Sequence, residues 1–140
     1  MSHTLLRHDE PLSVVRLGAG AELPAWATSG TLLSVTATAD ETSVVCAHAV
    51  VPRKARHEGP FTAFSVEGTL DLALTGVLHA LLAAPAEEQV PVFTLSTFDT
   101  DWVLVPAADA DRVAEAWRRQ GYDVRPADRP TTPSPEGTDS

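Results

Sequence analysis

The chain has 140 residues, 44% of them hydrophobic, enough for one ordinary domain or two very small fused units and too few for a large multidomain enzyme. Lys and Arg number 10 against 19 Asp and Glu, and the resulting net charge of -9 repels a phosphate backbone, so nucleic acid is not an expected partner. No stretch approaches the ~20 consecutive apolar residues of a membrane span. The opening "MSHTLLRHDEP" has neither the apolar core nor the cleavage site of a signal peptide, and Cys46 has no second cysteine to pair with, so the expectation is a cytoplasmic protein with no membrane association.

The ordered part is expected to run from about Leu12 to Val124. First, "LSVVRLGAGAELPAWATSG" offers a strand, a Gly-containing loop and a short helix around Pro24 to Ala27. Next, "LLSVTATADETSVVCA" places apolar strands on either side of a Thr-and-acid turn. "FTAFSV" (Phe61 to Val66) is rich in β-favouring residues and stops at Glu67-Gly68, so it reads as a strand. A helix follows: Leu70, Leu74, Val77, Leu78, Leu81 and Leu82 recur at helical spacing, with Thr69 or Asp71 as the cap. Pro85 would break or kink an interior turn, which leaves the far end of that helix undefined.

"VFTLS" and "WVLV" then read as a hairpin around the Ser96 to Asp101 turn. In "AADADRVAEAWRRQ" a second helix starts among acids and ends in Arg118 and Arg119, the order that complements a helix dipole. Gly121 ends it, and "YDV" closes the sheet as an edge strand. From Arg125 the chain is crowded with Pro and small polar residues, the composition of a disordered tail.

The order β-α-β-β-α-β is that of a ferredoxin-like α/β sandwich, and the first half repeats it in shortened form. The expected fold is therefore α+β, a tandem of two related units, the first with a truncated helix. The boundaries are 12–57 for the first unit, 60–125 for the second and 126–140 for the tail.

Few residues suggest catalysis. Asp99-x-Asp101 has the form of a Mg²⁺-binding pair, but such sites add further carboxylates and a phosphate-binding Lys or Thr, and Lys54 is the only lysine. His3, His8, His48, His57 and His79 show no metal-ligand spacing. Cys46 ends an apolar run, the setting of a buried, inert thiol. Gly18-x-Gly20 lacks the third glycine and long helix of a dinucleotide site. Trp117 and Trp102 read as packing residues, and Trp26 either packs or covers a site. With no nucleophile-base pair or metal cluster, neither an enzyme nor a cofactor is expected.

"SVTATADETSVVC", "VEGTLDLALTGVL" and "STFDTDWVLV" together resemble small prokaryotic tandem ACT-domain proteins, whose units are similar to those of the CASTOR-type arginine sensors and of aspartate kinases. The resemblance implies a pair of ACT-like units that associate further into a homodimer and bind a small amino-acid-like ligand where units meet. It does not imply catalysis.

Such a ligand needs N–H donors for its carboxylate and acceptors for its ammonium group. The segment from Leu72 to Val77, with Thr75, Gly76 and Val77 as its site residues, lies at the start of the expected helix, where unpaired N–H groups and the dipole favour an anion. The turn at Thr97, Phe98 and Asp101 supplies hydroxyls, carbonyls and a carboxylate. In the arginine-sensor pattern the matching positions are Ser96, Thr97, Phe98 and Asp101, and by that resemblance Asp101 faces the ligand's cationic group. Asp99 falls on a variable position and is expected to serve the turn itself.

The stretch before Gly76 reads Ala73-Leu74-Thr75, without the acidic residue of the arginine sensors, so the ligand's identity stays open. Two functions fit. One is an amino-acid sensor that regulates an unknown protein partner, and the other is an interaction protein that keeps the scaffold without the ligand.

Overall fold

A computed structural model describes residues 3–28, 30–68 and 76–127. Its eight strands are β1 (Thr4–Arg7), β2 (Leu12–Gly18), β3 (Ser34–Ala37), β4 (Glu41–Ala47), β5 (His57–Val66), β6 (Phe93–Ser96), β7 (Asp101–Pro106) and β8 (Asp123–Pro126). Two helices, α1 (Val77–Glu87) and α2 (Ala110–Arg119), and 3₁₀ turns at Ala25–Thr28, His48–Val50 and Ala107–Asp109 complete the fold. The expected cap residues Thr69 and Asp71, and residues 128–140 of the expected tail, lie outside the described residues.

β5 organises the sheet. Along one side of it β2 and β1 lie end to end, both antiparallel: Val15 and Leu12 pair with His57 and Phe61, and Arg7 and Leu5 with Phe64 and Val66. On its other side β7 pairs from Phe61 to Ser65, with β6 beyond it. The full path is β3-β4-β2-β5-β1-β8, with β7 and β6 branching from β5. The start of β5 is thus the fourth strand of the first unit and its end is the first strand of the second.

This arrangement differs from the sequence reading at both ends. A four-residue strand precedes Leu12. It inserts between β5 and β8, running parallel to β8 with Leu5 opposite Val124. Leu5 is only 1% exposed and belongs to the main core, so the N-terminal segment is a structural part of the second unit. β8 in turn runs through Pro126, which pairs with Arg7.

Strand alternation sends Phe64, Val66, Val103 and Val105 to the helix side, where they meet Leu81, Ala84, Val113 and Trp117. Leu12, Phe61, Ala63 and Leu104 point to the opposite side. In the first unit Val15, Val44 and the buried Cys46 pack under Ala27 and Trp26 of the first 3₁₀ turn. That turn stands where a ferredoxin-like unit has its first helix, so the expected truncation is present.

The two helices lock through a hydrogen bond that Pro85 makes necessary. Pro85 lies inside α1 instead of ending it. Having no N–H, it leaves the carbonyl of Leu81 without its helical donor. The Trp117 indole Nε1–H donates to that carbonyl at 2.8 Å, between residues that are both fully buried.

α1 closes with Val90 N–H on Pro85 O and Gln89 N–H on Ala86 O, a turn in which Gln89 takes the positive φ of 58° usually left to glycine. α2 closes with the same pair of bonds around Gly121, as its sequence predicts.

Trp117→Phe keeps a six-membered aromatic ring but removes the donor and the rest of the indole, leaving Leu81 O buried and unpaired beside a cavity. The expected loss is about 3 kcal/mol or more, read as a lower urea midpoint at unchanged slope.

Where β1 gives way to β2, His8 stacks on Trp102 with ring centroids 4.6 Å apart, and its Nε2 shares a 2.8 Å hydrogen bond with Ser65 Oγ. Burial pulls the His8 pKa below the ordinary histidine value, an effect partly offset by the charge of Asp9. The folded state therefore prefers the neutral ring. Protonation of the unfolded chain should draw stability down as pH falls through ~6.5, levelling off below the depressed folded value. Urea melts across that range should show this slope, and His8→Gln should flatten it.

Candidate functional site

The second hairpin is built around Thr97. Its N–H donates to Thr100 O at 2.9 Å, and its Oγ1 accepts from Thr100 N–H at 3.2 Å. The first hairpin repeats the device: Thr38 N–H donates to Glu41 O at 2.8 Å and Thr38 Oγ1 accepts from Glu41 N–H at 3.1 Å. These matching turns carry the internal repeat from sequence into geometry.

Asp99 plays no part in them. It makes no hydrogen bond or ion pair among the described residues, so the expectation that its carboxylate ties the turn is corrected in favour of the Thr97 hydroxyl.

Asp101 differs from Asp99. It opens β7 opposite Ser96, whose Oγ donates to Asp101 Oδ1 at 2.6 Å. Alternation with Val103 places it on the helix side of the sheet. Beside it, Thr100 Oγ1 donates to Val66 O at 3.0 Å, tying the turn to the end of β5 where the chain leaves for α1. The corresponding position of the first unit is Thr42, paired with Ala37 as Asp101 is with Ser96. Thr42 Oγ1 is buried without a partner among the described residues, so this carboxylate belongs to the second unit alone.

α1 begins at Val77 with Gly76 as its N-cap, φ 80°, with no capping side chain and no acid in its first turn. Among the described residues no side chain caps the leading N–H groups, the condition under which a helix start attracts an anion. A Cβ at Gly76 would meet nothing within 4 Å, so the space above it is open. Val77 packs against the main core.

Of the six residues expected to form the site, Thr97, Phe98 and Asp101 share one turn, and Gly76 and Val77 form the helix start. Thr75 lies outside the described residues. Phe98 is 80% exposed at the tip of the turn.

Sequence reasoning missed a second feature on the opposite face of the sheet. Val14, Arg16, Glu41, Ser43, Glu58 and Phe93 line a groove of about 250 Å³. Glu58 and Phe93 also line an adjoining hollow of about 300 Å³ with Phe61 and Pro91. Only the pairing of β2, β4 and β5 brings these residues together. The separate motifs carried no signal for it. Among the described residues no cluster of three or more His, Cys, Asp or Glu is arranged to hold a metal, and no helix is long and apolar enough to cross a membrane.

Two ferredoxin-like units fused through a shared strand define the class, and family comparison agrees with that reading. The ACT domain family model matches residues 56–119, and a separate model of an N-terminal domain matches residues 10–54. Residues 56–119 thus match an ACT domain.

A solved protein from Agrobacterium tumefaciens is similar at 26% identity over 92% of this chain and 96% of its own, with a TM-score of 0.85. The regulatory subunit of aspartate kinase from Thermus flavus has the same fold at 10% identity, covering 85% of this chain and 98% of its own, TM-score 0.60. So does the aspartate kinase of Clostridium acetobutylicum, at 10% identity over 80% of this chain and 33% of its own, TM-score 0.59. No curated protein matches the sequence.

Removing the Thr97 hydroxyl should loosen the turn. Thr97→Val is expected to cost about 1 kcal/mol. Asp99→Ala should stay within about 0.5 kcal/mol of the parent. Equal losses in chemical unfolding would return Asp99 to the turn.

Proposed function

We propose that the protein is a non-catalytic regulatory module that binds a small amino acid at the helix-side end of its second unit. The observation that carries this reading is the position of Asp101. It is oriented by Ser96 and lies beside the end of β5, from which the chain departs for the uncapped start of α1. Asp101 offers a carboxylate acceptor for an ammonium group, and the start of α1 offers N–H donors for a carboxylate, the two demands of an amino-acid backbone. Phe98, exposed at the turn tip, supports completion of the site against a second copy of the chain. Occupancy would then change how the dimer meets a regulated protein. Two aspartate kinase structures of the same fold, one a regulatory subunit and the other an allosteric enzyme, agree with this role.

The second reading, an interaction protein without a ligand, draws on the same exposed Phe98 and on the single carboxylate at the site.

A thermal-shift panel of the common amino acids at millimolar concentration separates the two. A ligand at a hundred times its Kd adds ~2.7 kcal/mol and raises Tm by several degrees. Asp101→Asn should then weaken that ligand roughly tenfold to a hundredfold, the worth of one charge-assisted hydrogen bond. If no member of the panel moves the melting curve, the interaction-protein reading stands instead.

A further inference from the structure

The face of the sheet away from the helices carries a pair of opposite charges that the fold leaves unused. His57 pairs with Val15, which points to the helix side, so Glu58 points to the other face, where Arg56, just before β5, lines the same groove. Neither makes a side-chain hydrogen bond or ion pair among the described residues. Side chains two residues apart along a strand stand about 7 Å apart, enough to admit a small molecule between them.

The rest of the groove matches them. Arg16 reaches across the floor toward Glu41 at 3.9 Å and donates to Asp40 O at 3.4 Å, so its charge is already partly answered. Ser43 stands opposite Arg16, and Val14 gives the floor an apolar portion. At the far end Phe93, 44% exposed, meets Phe61 edge-on with ring centroids 5.4 Å apart.

The strand pairing explains why these groups converge. Between Leu12 and Val14 the register with β5 slips, so that two steps along β2 match three along β5, from Phe61 to Glu58. A bulge of this kind re-aims a side chain, and here it lets Glu58 and Phe61 share a face. Gly59 occupies the slip, where a Cβ would lie 2.5 Å from Ser13 Oγ and 2.9 Å from Leu12 O, so no other residue fits without displacement.

The geometry points to a second binding site in this groove, for a zwitterion with one carboxylate and one ammonium group and an apolar or aromatic side chain. Arg56 takes the carboxylate, Glu58 the ammonium, and Phe93 and the adjoining hollow the side chain. This site is distinct from the Asp101 site and lies on the opposite side of the sheet.

The test is chemical-shift mapping and calorimetry on the full chain with the common apolar and aromatic amino acids, each compared with its N-acetyl and methyl-ester derivatives. At least one amino acid should shift the amides of Val14, Arg16, Ser43 and Phe93. Arg56→Gln and Glu58→Gln should each weaken it about tenfold or more, and both derivatives should bind worse than the parent. Asp101→Asn should leave this binding within about twofold, below the effect of losing one charged hydrogen bond. Shifts confined to Gly76, Val77 and the Thr97 to Asp101 turn, with Arg56→Gln and Glu58→Gln binding as the parent does, overturn the groove and leave the proposed function intact. Binding equally strong for the derivatives also overturns it, since an apolar hollow alone would explain that result.

Discussion

Everything else in the molecule depends on the pairing of β5 along both its edges. A strand has one row of backbone groups on each side, and an unpaired row buried in a fold is costly. β5 spends one row on β7 and the other first on β2 and then on β1. Two units each too small for a generous core therefore share one sheet instead of meeting through an interface. Small domains bury a low fraction of their surface, and a shared strand is one way to raise it. The first unit has 3₁₀ turns where its helices would stand, and its core of Val15, Val44 and Cys46 is correspondingly small.

Placing both helices on one side leaves the two faces of the sheet chemically unlike. The helix side is filled by Leu81, Trp117 and the valines of β7. The Leu81 carbonyl, left without a helical donor by Pro85, finds one in Trp117. The other side is covered only in part, by Leu32 from the loop before β3, and there polar and charged residues of β2 and β4 come to the surface. Both proposed ligand sites would follow from this asymmetry, one where a helix begins and the other where no helix covers the strands.

Much of this could be read from the sequence, for physical reasons that differ by element. α2 was legible because its apolar residues Val113, Ala114 and Trp117 keep helical spacing, its charges follow the dipole and Gly121 supplies the left-handed end. The hairpins were legible because apolar runs flank a polar turn. β1 was not, since four residues reading Thr-Leu-Leu-Arg carry too little pattern to mark a strand, and its place is fixed by partners more than fifty residues away. The turn chemistry was assigned to the wrong side chain. Asp and Thr both bond to nearby backbone, and composition alone does not choose between Asp99 and Thr97. The uncapped start of α1 followed from the expected helix only in outline, because periodicity suggested an earlier beginning than Val77. The groove had no local signature at all. Arg16, Ser43 and Glu58 are scattered along the chain, and a register slip invisible in the sequence decides which way Glu58 points.

The insertion of β1 between β5 and β8 also bears on how the chain reaches its final form. β1 and β8 are more than a hundred residues apart along the chain, yet Thr4 lies beside Asp123. Docked on β5, β1 keeps its other edge open until β8 pairs with it. Parallel pairings between distant segments are slow to form because a long loop must close first. Closure of β8 on β1 is therefore expected late in folding, and until it forms β1 carries an exposed strand edge open to wrong pairing.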